Sequence, residues 1–211
     1  MINQRMLALG NEPSAIRELF AYGLARKAEI GDDKVFDFSL GNPSIPAPDS
    51  VRQAIAEALD EPACALHGYT PAQGTPAVRQ AVASTILRRH GFEVSPDRIY
   101  MTAGAAAGLV IAIAAVTDPG DEVIVVAPYF PEYKVFIESA GCTCIEVPAR
   151  ADDFQLDVNA IHAAITPKTS AVIINSPNNP TGAVYGREVL KDLGDALRDK
   201  EEAYGTQIHL I

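Results

Sequence analysis

The fold class that the sequence predicts is α/β, a mostly parallel sheet covered by helices on both faces in three α/β/α layers. Three observations predict it. Past Arg98, short apolar runs alternate with helical stretches of about ten residues or more, the order that parallel strands and crossover helices produce. Two of those runs, residues 123–126 and 171–174, contain no polar residue, as strands buried on both faces require. Polar or breaker-rich loops follow residues 102, 126 and 174, and in such sheets ligands bind beyond the carboxyl ends of the strands.

Taken in order, Pro13 and Ser14 precede an amphipathic helix with Ile16, Leu19, Phe20 and Leu24 on one face, stopped at Gly31. Phe36, Phe38 and Leu40 alternate with Asp37 and Ser39 as in a short strand, and residues 41–48, rich in proline, form an ordered loop. Asp49 is expected to cap the next helix, whose Val51, Ile55, Ala58 and Leu59 share a face. A polar and aromatic loop, 67–74, leads to Thr75 and Pro76, a cap followed by proline at the first helical position. That helix places Val78, Val82 and Ile86 on one side and Arg88, Arg89 and His90 in its last turn, where positive charge suits the helix dipole.

Residues 99–102 then read as a strand, and 104–116 as a helix that is apolar on every side and so expected to be buried all round. Asp118 to Asp121 make a turn, 123–126 a strand, 129–139 a helix and 143–147 a strand. After them come a helix over 158–165 ended by Pro167, the strand 171–174, a helix carrying Val189, Leu190, Leu193 and Leu197, and a final strand over 208–211.

Composition narrows the class. The 211 residues are 48% hydrophobic and 21% charged, as in ordinary globular proteins. A formal net charge of -10 disfavours a nucleic-acid partner, which wants a basic stripe. Cys64, Cys142 and Cys144 lack the spacing of a disulfide framework or a zinc site, so no metal is expected. Residues 1–10 lack the apolar core of a signal peptide and no stretch approaches a membrane span, so a cytoplasmic protein is expected.

Three loops carry chemistry. Around Gly104, Ala105 and Ala106 a strand turns into a helix through residues with almost no side chain, so free N–H groups of the first helical turn can meet an anion such as phosphate. A tightly packed turn explains the same letters. The segment is neither a P-loop nor G-x-G-x-x-G, and no acidic residue stands where a ribose would need it. Phe130, between Pro128 and Pro131, offers a face to a planar ligand or fills the core. Asn179, fixed between Asn178 and Pro180, can aim its amide at a ring oxygen or serve an Asx turn. Together they describe a pocket for a flat, phosphorylated heteroaromatic.

The motifs resemble those of the class I and II aminotransferases, fold-type I enzymes that use pyridoxal phosphate. N-N-P-T-G at 178–182 is the most recognisable. In order before it stand G-N-P at 41–43, Tyr69 with G-T-P-A-V-R at 74–79, T-A-G-A at 102–105, D-P-G-D-E-V-I-V at 118–125 and P-Y-F-P-E-Y at 128–133.

The resemblance implies that residues 1–48 form an N-terminal arm and part of a small domain, and 49–211 an incomplete cofactor-binding large domain. It implies that the N–H groups after Gly104, those of Ala105 and Ala106, hold the cofactor phosphate, that Phe130 stacks on the ring and that Asn179 bonds its phenolic oxygen. Gly41 would meet the substrate carboxylate, and Tyr69 would reach the phosphate held by the partner subunit of a homodimer. Amino acids and 2-oxo acids would be the substrates. Where many relatives carry Ser or Thr, Ala105 and Ala106 leave the backbone to do more.

The family also needs a Schiff-base lysine, usually as S-x-x-K, and none of Lys27, Lys34, Lys134, Lys168, Lys191 and Lys200 has a serine three residues before it. The lysine is therefore expected beyond Ile211 and no catalytic residue within the chain, which alone should be inactive. A β-lyase of the same fold and a non-catalytic binding domain are alternatives. A nicotinamide-dependent dehydrogenase is a more distant one.

Overall fold

The computed structural model describes residues 2, 4–11, 15–41, 43 and 45–211, in two units, 1–101 and 102–211. The first unit is helical. α1 (Gln4–Asn11), which the sequence pattern did not announce, precedes α2 (Ala15–Ile30). The expected opening of α2 at Pro13 and Ser14 lies outside the described residues. Gly31 follows α2 as expected, its N–H donating to the Lys27 carbonyl at 2.9 Å.

Residues 36–40 do not form the expected strand. The alternation marks extended backbone, but a strand needs a ladder partner, and here the segment is tied down through one carboxylate instead. Asp37 accepts from the Ser39 N–H at 3.0 Å and hydroxyl at 2.6 Å, and sits 3.4 Å from Lys27 of α2. Phe36 and Phe38 are left 83% and 93% exposed.

α3 (Asp49–Leu59) begins one residue earlier than expected: Pro48 is its N-cap and Asp49 its first residue, so the carboxylate meets the helix dipole without capping. The short α4 (Ala63–Leu66) leads to α5 (Pro76–His90), which has Thr75 as N-cap, proline at N1 and a left-handed Gly91 closing it. The buried residues of α5 are Arg79 and Ala83, whereas Val78 is exposed, which shifts the inward face by one residue. Residues 99–102 are extended but unpaired in any ladder, held by the Met101 N–H to the Gln73 carbonyl at 3.0 Å. Gly74 sits against that contact with φ 94, and a Cβ there would stand 2.5 Å from Met101 Cγ, so no other residue fits.

The second unit starts with α6 (Ala105–Val116). β1 (Glu122–Ala127), α7 (Glu132–Ser139), β2 (Thr143–Pro148), α8 (Val158–Ala164), β3 (Thr169–Ile173), α9 (Arg187–Tyr204) and β4 (His209–Leu210) follow. The strands stand in the order β2-β1-β3-β4, and every pair is parallel. The period of two splits the apolar residues between the faces. Val123, Val125, Ala171 and Ile173 meet Ile113 of α6 and Tyr133 and Ile137 of α7. Ile124, Val126, Val147 and Val172 meet Ile161 of α8 and Leu193 and Leu197 of α9. That is the expected three-layer arrangement, and each fully buried Val or Ile contributes about 1.5–3 kcal/mol.

Two expectations for this unit need correction. The helix expected from residue 129 begins at Glu132, which frees Tyr129, Phe130 and Pro131 for the loop. α6 is not buried all round: Ile113 is inaccessible, but Val110 and Ile111 are exposed, because only one side of the helix lies on the sheet. No helix among the described residues is long and apolar enough to cross a membrane.

Candidate functional site

The carboxyl edge of the sheet in residues 102–211 gathers three of the predicted features. β1 and β3 are adjacent and parallel, so the loops that leave them, 128–131 and 174–182, rise side by side. α6 packs on the same sheet and turns through Asp118 to Asp121 into β1, so it runs antiparallel to the strands and opens at this edge.

At the start of α6 the N-cap is Gly104, with φ 87 and ψ 171, a conformation open to glycine and strained for other residues. No side chain caps the helix. The Gly108 N–H returns to the Gly104 carbonyl at 3.3 Å, and the N–H groups of Ala105, Ala106 and Ala107 precede the intrahelical ladder. Ala105 and Ala106 are exposed. A phosphate there would meet dipole and N–H groups with no side chain in the way.

The loop after β1 is built from rings. A cis Ala127-Pro128 bond leads to Tyr129 and Phe130. Phe130 sets its ring against the buried Tyr133 at 5.6 Å and 77°, an edge-to-face pair, while Tyr129 lies parallel to Tyr133 at 6.2 Å. Phe130 is half-buried, so part of its ring stays open. Burial, then Cys144 and Glu146, push the Tyr129 phenol above its ordinary range. Burial and Glu146 push the Cys144 thiol up to about 11. Both groups are therefore neutral and protonated near pH 7.

The loop after β3 is held by its own polar side chains. Cis bonds stand at Ser176-Pro177 and Asn179-Pro180. The Asn179 N–H donates to Asn175 Oδ1 at 2.8 Å, whereas the Asn179 side chain is exposed. Asn178, next to it, is buried and accepts from the Thr181 N–H at 3.3 Å and the Thr181 hydroxyl at 2.9 Å. The Tyr185 N–H donates to Ser176 Oγ at 3.0 Å. Sequence reading missed these supports. Their signal was the density of Asn, Ser and Thr within ten residues, all types that bond locally to backbone.

Gly41 and Tyr69 belong to the other unit, and both are exposed. Arg79, also missed, is buried there and donates to the Gly74 carbonyl at 3.3 Å and the Pro96 carbonyl at 2.8 Å, bracing the end of the loop that carries Tyr69.

The lysines have other engagements. Lys27 lies 3.4 Å from Asp37, Lys134 3.5 Å from Glu146 and Lys191 2.7 Å from Asp195, and Lys200 sits over Tyr204. Lys168 precedes β3 at the opposite edge, and Lys34 ends a single 3-10 turn. Among the described residues no group of His, Cys, Asp and Glu could hold a metal ion.

Residues 33–203 match the family described as "Aminotransferase class I and II". The chain belongs to that family. An aspartate aminotransferase of Streptomyces avermitilis is 40% identical over 177 residues, covering 83% of this chain and 43% of the relative. Among solved structures, an aminotransferase from Eubacterium rectale is 49% identical with a TM-score of 0.94, over 100% of this chain and 53% of that one. The Thermus thermophilus aspartate aminotransferase with maleate is 31% identical with a TM-score of 0.80, over 100% and 52%. The chain spans about half the length of these aminotransferases.

Proposed function

We propose that this chain supplies the cofactor-holding part of a pyridoxal-phosphate-dependent aminotransferase that acts on an α-amino acid and a 2-oxo acid as a homodimer. The observation that carries the reading is the meeting, at one sheet edge of a chain in this family, of an open helix start, a half-open aromatic ring and an exposed amide. These groups fit the cofactor: N–H donors for its phosphate, a flat apolar surface for its ring and a donor for its ring oxygen.

Bound there, pyridoxal phosphate would supply the electron sink for breaking a bond at the amino acid's Cα. The residues of this chain hold and orient. The N–H groups of Ala105 and Ala106 anchor the phosphate with help from the α6 dipole. Phe130 fixes the ring plane through stacking. The Asn179 amide donates to the ring oxygen and favours its ionised form, since a hydrogen bond to a charged oxygen is about twice as strong as a neutral one. Gly41 offers a backbone N–H to the substrate carboxylate, and Tyr69 reaches the phosphate in the partner subunit. The Schiff-base lysine comes from sequence other than these 211 residues. Relatives are named for aspartate, for prephenate and for valine with pyruvate, which supports the amino-acid class and leaves the side chain open.

The test is titration of the 211-residue chain with pyridoxal phosphate, with inorganic phosphate as competitor, followed by borohydride and intact mass. Saturable binding displaced by phosphate, weakened by Gly104→Ala and leaving no stoichiometric adduct, is expected. Binding that phosphate does not displace would overturn the cradle. A single adduct blocked by an amino acid would place the nucleophile within the chain. In the complete protein, pyruvate in place of the transaminated 2-oxo acid would favour elimination.

A further inference from the structure

The exposed amide of Asn179 can select a ligand only if its direction is fixed, and the residue beside it, Asn178, is buried and hydrogen-bonded within the loop. Asn178 is 8% exposed, and its Oδ1 takes both the N–H and the hydroxyl of Thr181. Its backbone closes the loop as well: the Asn178 N–H donates to the Ala183 carbonyl at 2.8 Å, and the Gly182 N–H donates to the Asn178 carbonyl at 2.7 Å. The Thr181 hydroxyl oxygen also accepts from the Ala183 N–H at 3.2 Å. On the other side, Asn175 Oδ1 holds the N–H of Asn179 itself.

A buried amide oxygen is costly without donors, so a side chain whose Oδ1 already holds two of them has few other arrangements open to it. β3 already ends at Ile173, and the sheet's two apolar clusters contain none of residues 175–182. The polar order at 175–183 therefore serves the sheet edge, where Asn179 is the exposed side chain it presents.

We propose that Asn178 is a positioning residue, seconded by Thr181: it does not touch the ligand, but it fixes the direction of the Asn179 amide, so selection for a ring oxygen depends on it. The inference rests on the pyridoxal-phosphate reading above. On this view the two neighbouring asparagines of N-N-P-T-G divide the work, one turned inward to hold the loop and one turned outward to meet the ring.

The experiment compares, for the 211-residue chain, the affinities for pyridoxal phosphate, for its 3-deoxy analogue without the ring oxygen, and for inorganic phosphate. The unsubstituted chain is expected to prefer pyridoxal phosphate over the deoxy analogue by about tenfold, the size of one hydrogen bond to a charged oxygen. Asn179→Ala should abolish the preference. Asn178→Ala should abolish it too while leaving phosphate affinity and circular dichroism unchanged. Thr181→Val, a milder change that guards against misfolding, should reduce it, and Thr181→Ser should keep it.

A preference that survives in both Asn178→Ala and Thr181→Val overturns the inference. So does an equal loss of affinity for all three ligands, the mark of a merely structural residue. A chain that binds phosphate but neither pyridoxal compound any better overturns the cofactor reading itself and takes this inference with it. A chain that binds both pyridoxal compounds equally removes only the Asn179 contact and what depends on it.

Discussion

Residues 1–101 and 102–211 obey the same local rules to opposite effect. In the second unit β1 and β3 are covered on both faces, and Val123, Ile124, Val125, Ile137, Ile161, Ala171, Val172 and Leu193 are all 0% exposed. In the first, Ala83 is the buried apolar side chain among the described residues, and α3 buries none although Val51, Ile55 and Leu59 line one side of it. A helix satisfies its backbone internally and so forms wherever its pattern allows. A sheet forms only if its strands find each other, and the crossover helices then come with it. The stability of the molecule should therefore be concentrated in the second unit.

The most direct way to break this comparison is to cut a side chain from the middle of β1. Ile124→Ala removes an inaccessible group between α8, α9 and the sheet and should cost about 2–5 kcal/mol in urea unfolding. A smaller cost would mean that the sheet is not the seat of stability.

Gly104→Ala comes next in size. A Cβ at Gly104 meets nothing within 4 Å, so the penalty arises from the φ of 87 alone, about 1–3 kcal/mol. The same substitution should weaken phosphate binding, because relief of the strain swings the N–H groups of Ala105 and Ala106. Unchanged stability together with unchanged phosphate affinity would show that the turn tolerates a side chain and that the glycine is incidental.

What the sequence made legible is what local chemistry decides. The strands 123–126 and 171–174 were readable because uninterrupted apolar runs bounded by breakers have few other homes, and the loops that carry Gly104, Phe130 and Asn179 because breakers mark where such runs stop. Partnership was not legible. Residues 36–40 and 99–102 carry strand letters, yet a ladder depends on a neighbour that the letters do not name. The all-apolar α6 signalled burial, yet Val110 and Ile111 are exposed, because a helix's own pattern does not name what stands on its far side. The inward turn of Asn178 escaped for a related reason: asparagine prefers loops whether buried or exposed, and only its bonds to Thr181 decide which.

An alkaline titration sharpens the comparison with a smaller effect. Cys144 and Tyr129 hold their protons more tightly folded than unfolded, chiefly through burial, with the thiol raised from 9.0 to about 11. Stability from this source is complete below the unfolded value and is lost as pH rises through the folded one. The urea midpoint should fall between pH 9 and pH 11, and Cys144→Ala should blunt the fall. A flat profile would mean the cluster opens before it titrates. At about pH 8, iodoacetamide should modify the exposed Cys64 of the first unit well ahead of Cys142 and Cys144.

The smallest expected effect separates the two units most cleanly. Ile55 sits mid-way along α3 and is 59% exposed, so Ile55→Ala removes little burial and should cost less than about 0.5 kcal/mol. Matched against Ile124→Ala, the same kind of truncation then differs severalfold according to whether a sheet stands behind it. If Ile55→Ala instead costs about 2 kcal/mol, the apolar side of α3 is covered in solution by something other than the described residues. A second copy of the chain would betray itself through a midpoint that rises with protein concentration, since association stabilises by mass action. A cost independent of concentration would place the cover within a single chain.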